Sequence, residues 1–296
     1  MKHLFYTVLL FAICGQALAQ TNSAIADSSV YLVQTNDGNE YTGILISDNG
    51  NEIILKTKNI GEIKILKSNM ESMQLVSASE IKGDQIWTHT AQDARYFFAP
   101  NGYGLRKGEG YYQNTFLFFN QVSYGFTNNF TMGLGMIPLF LFAGAPTPVW
   151  LTPKVQFPLI KDKLNIGGGA LIGTILGLDT EEGGSNSFGI AYGTITAGSR
   201  NSNISFGLGY GFAGGEWGNY PSINLSGMVR ISERWYLVTE NYLFDGGTSS
   251  AGVFSGGARC MFKKCSIDFA VMEVGADGTY YPVPWLSFAV PIGHAK

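Results

Sequence analysis

The sequence predicts an all-β chain: a small five-stranded N-terminal unit, then an antiparallel transmembrane β-barrel of about 12 strands, with about ten as the alternative. Three observations carry this expectation: apolar residues alternate with bare ones, short turns alternate with longer loops, and charge is scarce. In NISFGLGYGFAGG (203 to 215), Ile204, Phe206, Leu208, Tyr210 and Phe212 share one face, and Ser205, Gly207, Gly209 and Gly211 the other. A soluble sandwich would put charge on its second face. A Gly- and Ser-lined face fits a strand with lipid outside and a lumen within.

Composition points the same way. Only 14% of the 296 residues are charged, Gly numbers 39, and the net charge of −3 supplies no basic field for nucleic acid. The opening MKHLFYTVLLFAICGQALAQ has Lys2, an apolar run from Leu4 to Ile13 and Ala17-Leu18-Ala19 as a cleavage site, so residues 1–19 read as a signal peptide. Ile13 before Cys14 is too bulky for the usual lipobox, which argues against lipidation. No later apolar run reaches the roughly 20 residues of a membrane helix, so any crossing is made by strands closed into a barrel.

Residues 28–76 form the small unit. Five strands are expected, VYLVQT, EYTGILISD, EIILKTK, EIKILK and MESMQLV, with turns at Asn36-Asp37-Gly38 and Asp48-Asn49-Gly50. The pattern resembles SH3-like or Sm-like small barrels, with Gly43 where the long second strand must bend. Lys56, Lys58, Lys64 and Lys67 interleave with apolar residues as a solvated face. The unit reads as an interaction or spacer module, and residues 77–94 as a polar connector.

Residues 95–296 form the membrane barrel. Short turns at TNN, KDK, RNSN, SER and FKK alternate with the longer AGAPTPV, DTEEGGSNS, EWGNYPS, GGTSSAG and ADGTYYPVP, as periplasmic turns alternate with external loops. RYFFAPNGYGL and GYYQNTFLFFNQVSYGF, joined by RKGEG, supply an opening hairpin. An even strand count returns both ends to the periplasm, and the small unit is expected on that side too. Ile223, Leu225, Val229 and Ile231 face lipid, opposed by Asn224, Ser226, Met228 and Arg230. Leu164, Ile166, Ala170 and Ile172 oppose Asn165, Gly167, Gly169 and Gly173, while Ile267, Phe269 and Val271 oppose Ser266, Asp268 and Ala270. Phe130, Trp150, Phe188, Trp217, Trp235 and Trp285 suit interfacial girdles. Pro138, Pro153 and Pro158 mark bulges or rims.

ARYFFAPNGYGLRKGEGYYQN followed by NQVSYGFTNNFTMGLG resembles a group of uncharacterised outer-membrane proteins from Bacteroidota that join a small N-terminal barrel to a transmembrane one. The resemblance covers most of the mature chain. It implies outer-membrane location and architecture, and transfers no catalytic or binding residue.

Chemistry is sparse. His3 lies in the signal, His89 in the connector and His294 near the end, and there is no GxSxG elbow, so no enzyme is expected. No metal site or cofactor is expected, although Asp179–Gly184, DTEEGG, could meet a divalent ion as an external loop. Lys154, Arg230, Glu240, Arg259 and Asp268 point inward from different strands, with Arg230 and Glu240, and Arg259 and Asp268, on hairpin partners. They either line a polar path or cavity, or form a buried ion-pair network that fills the lumen. A two-residue turn at Phe262-Lys263 would set Cys260 opposite Cys265, and an oxidising compartment then favours a disulfide over free thiols. Two functions are expected: a narrow pore or binder of a small polar or amphipathic solute, or a structural adaptor acting through the small unit and outer loops. The partners expected are outer-membrane lipid, a small solute and a protein that meets the small unit, with no nucleic acid.

Overall fold

The computed structural model describes residues 29–76, 81–82, 85–87, 90–178, 185–245, 247, 250–262 and 264–293. The expected signal peptide, all three histidines and the DTEEGG loop lie outside these. The chain divides after Ala78 into two units.

In the first unit all five expected strands form: β1 (Val30–Thr35), β2 (Glu40–Asp48), β3 (Glu52–Thr57), β4 (Gly61–Leu66) and β5 (Met70–Val76), in the sheet order β4-β3-β2-β1-β5. The two turn glycines, Gly38 and Gly50, take the left-handed φ of 83° and 90° that a hairpin loop ending in a G1 bulge needs. Val33, Ile53, Leu55 and Ile65 make the core. Gly43 lies so close to β3 that a Cβ there would stand 2.6 Å from the Lys56 carbonyl oxygen. The bend itself is a bulge between Leu45 and Ser47, just beyond the glycine. Lys64 pairs with Glu52 at 2.8 Å and Lys67 with Asp48 at 2.7 Å, so these lysines sit on a solvated face.

The second unit is a closed antiparallel barrel of 12 staves. Its strands are β6 (Glu109–Thr115), β7 (Phe119–Thr127), β8 (Phe130–Met136), β9 (Thr147–Leu151), β10 (Lys154–Ile160), β11 (Leu164–Leu176), β12 (Ser187–Ser199), β13 (Ser202–Ala213), β14 (Ser222–Arg230), β15 (Trp235–Asp245), β16 (Ser250–Met261), β17 (Ser266–Ala276) and β18 (Thr279–Gly293). Strands β9 and β10 share one stave between β8 and β11, broken at Thr152-Pro153. Pairing of β18 with β6 closes the ring. The expected alternation holds: Ile204, Phe206, Leu208 and Tyr210 are exposed while Asn203 and Ser205 are buried. Exposed Leu, Ile, Val and Phe continue around the outside, a surface that lipid stabilises and water does not.

Several expectations need correction. The segment 95–105 is not a strand, and GYYQNTFLFFNQVSYGF is two strands, because Phe116 and Leu117 adopt φ of 53° and 66° and turn the chain. No glycine or asparagine marks that turn. The expected loop ADGTYYPVP closes at Asp277-Gly278 and runs on as β18. Pairing of β18 with β6 begins only at Ser287, so Pro282 and Pro284 lie on an overhang where one edge needs no donor. Pro138 opens α1 (Pro138–Phe142), Pro153 sits at the stave break and Pro158 adjoins a register shift. Of the girdle residues, Phe130, Trp217 and Trp235 lie outside. Trp150, Phe188 and Trp285 turn inward: Trp150 donates to Gln121 at 2.9 Å, Phe188 lies over Gly173, and Trp285 packs on Phe97. Finally, β16 and β17 pair Cys260 with Ile267 and Met261 with Ser266, leaving Cys265 in a four-residue turn. Both cysteines are free thiols, not the expected disulfide.

Candidate functional site

Inward positions of this barrel are unusually bare. Gly133, Gly135, Gly167, Gly169 and Gly173 leave the lumen beside β8 and β11 without side chains, and small barrels must fill such space. Wall side chains cover several of these glycines, Trp150 at Gly135, Tyr192 at Gly169 and Phe188 at Gly173, and the segment immediately before β6 enters the lumen and meets Gly167 through Gly102. Thr90 caps a short 3-10 turn, Ala91–Ala94, by accepting from the Gln92 N–H at 3.2 Å. From Arg95 the chain makes a tight loop, closed by Tyr96 N–H on the Ala99 carbonyl at 2.9 Å, with Phe98 at its tip. It then returns along the wall to Leu105.

Four anchors hold this plug. Asp268 takes Arg259 Nε at 2.6 Å on Oδ1 and Arg95 Nη1 at 2.9 Å on Oδ2, and Ser287 donates to Oδ2 at 3.1 Å. The two guanidiniums cap plug carbonyls in turn: Arg95 those of Tyr96 and Phe97 at 2.9 and 2.7 Å, Arg259 those of Gln92 and Tyr96. Glu240 accepts the Phe98 N–H at 2.8 Å and the Ala99 N–H at 3.0 Å, with Tyr242 donating to it at 2.8 Å. Tyr96 reaches Asn203 and Ser205 at 2.7 and 2.6 Å, and the Gly102 N–H meets Thr196 Oγ1 at 2.6 Å. Where Gly102 passes that hydroxyl, a Cβ would stand only 2.8 Å away, so no larger residue fits. Arg200 binds Asp93 at 2.9 Å and the Gly104 carbonyl at 3.0 Å.

All five sequence-chosen residues, Lys154, Arg230, Glu240, Arg259 and Asp268, are buried and inward. Arg259 and Asp268 pair as expected across β16 and β17. Arg230 and Glu240 do not meet: Arg230 binds Asn201 at 3.1 Å and the Glu233 carbonyl at 2.6 Å near the short-turn end, against the Trp87 and Tyr236 rings. Glu240 stands half-way along β15, under the plug tip. Sequence reasoning missed Arg95, the third member of the Asp268 cluster. Its signal was the run Tyr96-Phe97-Phe98, three consecutive aromatics that break strand alternation.

The described residues enclose a cavity of about 150 Å³. Its floor is the plug, through Arg95, Phe98 and Pro100; its walls include Leu171, Ile190, Tyr192, Tyr242, Thr131 and Lys154. Cavities of about this volume take molecules the size of a single aromatic ring.

No protein-family model matches the chain, and no curated protein does. Among solved structures it is similar to a KdgM porin in complex with disordered oligogalacturonate, at 8% identity and a TM-score of 0.44, over 63% of this chain and 98% of that one. It is also similar to the NanC porin, at 9% identity and 0.40, over 63% and 97%. A third similarity is to OprD of Pseudomonas aeruginosa, at 10% identity and 0.38, over 93% and 97%.

Proposed function

We propose that the chain is an outer-membrane β-barrel that takes a small polar or amphipathic solute into its lumen, with residues 91–105 governing whether the solute passes. The observation that carries this reading is the cavity above the plug, enclosed by a barrel whose outside is apolar. The even number of staves brings both ends of the barrel sequence to the short-turn end, which in this reading faces the periplasm. The five-stranded unit is then a small SH3-like or Sm-like barrel on the periplasmic side, a reading supported by its strand order and the bulged β2.

One observation favours a second reading. The charged residues spend themselves on the plug instead of lining an open path, as they would in a structural adaptor working through its small unit and outer loops. Planar-bilayer conductance and solute uptake into liposomes, both on the refolded full chain, separate the two. Small gated currents or solute uptake support the first reading. A folded barrel that is silent, takes up no solute and binds none supports the second.

A further inference from the structure

The cavity is chemically two-sided. One wall is apolar and aromatic, built from Leu171, Ile190 and Tyr192, with the Phe98 ring rising from the floor. The other wall is polar. Thr152 Oγ1, Ser123 Oγ and Gln121 Nε2 crowd over the bare Cα of Gly133, 2.2, 2.9 and 3.1 Å from where a Cβ would be, so the glycine lets these polar groups gather at the cavity wall. Thr131 and Lys154 adjoin it, paired across β8 and β10.

Lys154 is 6% exposed, and one of its three N–H groups is spent on the Tyr103 carbonyl. Among the described residues no carboxylate lies within ion-pairing distance of it. Every other cation of the inner lumen that reaches a carboxylate is already matched: Arg95 and Arg259 to Asp268, Arg200 to Asp93. A buried ammonium with unfilled donors, beside a hydroxyl-lined pocket and facing an apolar wall, is stabilised by an anion that brings its own apolar body. Tyr192 completes the arrangement, because its ring crosses Gly169 toward β10 and its hydroxyl comes within 2.8 Å of where a Gly169 Cβ would stand. Gly169 pairs with Lys154 across the ladder.

We infer that this cavity is a binding site for a small amphipathic monocarboxylate, one ring or a short branched chain in size. Its carboxylate sits on Lys154 Nζ with hydroxyl help from Thr152, and its apolar body lies against Leu171, Ile190 and Tyr192. The inference rests on the solute-binding reading above and gives it a ligand class. A cavity of this size does not take sugar oligomers or extended chains.

The test is calorimetric titration of the full chain in detergent with benzoate, and with benzamide as its neutral analogue, after heat-modifiable gel mobility confirms folding. Benzoate is expected to bind at least about tenfold more tightly than benzamide, with K154M erasing that preference, K154R keeping it, and T152V weakening benzoate alone. If K154M fails to fold, T152V and K154R still decide the matter. Equal binding of both probes, or benzoate affinity indifferent to K154M and T152V, would overturn the carboxylate assignment while leaving solute binding in place. Failure of both probes to bind the folded wild-type chain would overturn the assignment and the solute-binding reading together.

Discussion

Asp268 on β17 holds Arg95, 173 positions earlier in the chain, at 2.9 Å, while gripping Arg259 across the β16–β17 ladder at 2.6 Å. One carboxylate thus ties the plug to the wall and offsets two buried guanidiniums. Removing it in D268A leaves both cations uncompensated, and breaking a buried ion pair costs about 3–5 kcal/mol. Urea unfolding followed by gel mobility should show a lower midpoint for D268A. The R95A variant leaves Arg259 and Asp268 together, so it should be much the milder of the two in stability while raising bilayer conductance. A D268A barrel as stable as wild type would refute the anchoring role.

The plug tip hangs from Glu240, whose carboxylate accepts the Phe98 and Ala99 N–H groups. E240Q keeps an acceptor but loses its charge and one of two equivalent oxygens, and charge-assisted bonds are about twice as strong as neutral ones. Amide hydrogen exchange at Phe98 and Ala99 should therefore quicken in E240Q, with exchange in the wall strands unchanged. Unaltered exchange at those two amides would show that the tip is held by something else.

Acid should loosen the edge of the small unit. The Lys67 hydrogen bond, aided by the Gly50 N–H, holds the Asp48 carboxyl below its ordinary value, and Lys64 does the same for Glu52. Folded values below the unfolded ones mean that this contribution is complete above about pH 4, the unfolded range. It is lost as pH falls through the folded values. Carboxyl chemical shifts of Asp48 and Glu52 should titrate below those of a free side chain, and K67M should bring Asp48 up toward the ordinary range, with the Gly50 N–H still holding it below. Asp48 is exposed and Glu52 partly so, and solvent screening at such surface pairs keeps the effect on stability small.

Both cysteines should alkylate without prior reduction. Cys265, in the turn, should react with a polar maleimide faster than Cys260, which faces outward opposite Ile267. A full-length protein that alkylates only after reductant treatment would instead indicate a bridged pair and a shifted β16–β17 register.

The wall of this barrel was legible because lipid and lumen impose opposite chemistry on neighbouring residues. The faces of β11, β13, β14 and β17 follow from alternation alone. What fills the lumen was not legible. The plug residues Tyr96, Phe97 and Tyr103 have the composition of an interfacial strand, and only the absence of alternation sets them apart. Trp150, Phe188 and Trp285 look like girdle residues by type, yet their parity along the strand aims them inward, the first two opposite bare glycines and Trp285 opposite Ala270. Parity settles the side where residue type does not. The cysteine register failed for a local reason: a four-residue turn in place of a two-residue one displaced every partner by two residues, which keeps each side chain on its expected face.

The position of the plug in the chain has a consequence for biogenesis. The plug precedes the first stave yet is bonded to β15, β16 and β17, which are made last, and the ring is sealed where β18 meets β6. A segment enclosed by a ring and continuous with its first stave is most readily captured while the ring is still an open sheet. Docking of residues 91–105 therefore belongs before or with the zipping of that seam, which makes closure of β18 on β6 a late step in building the barrel.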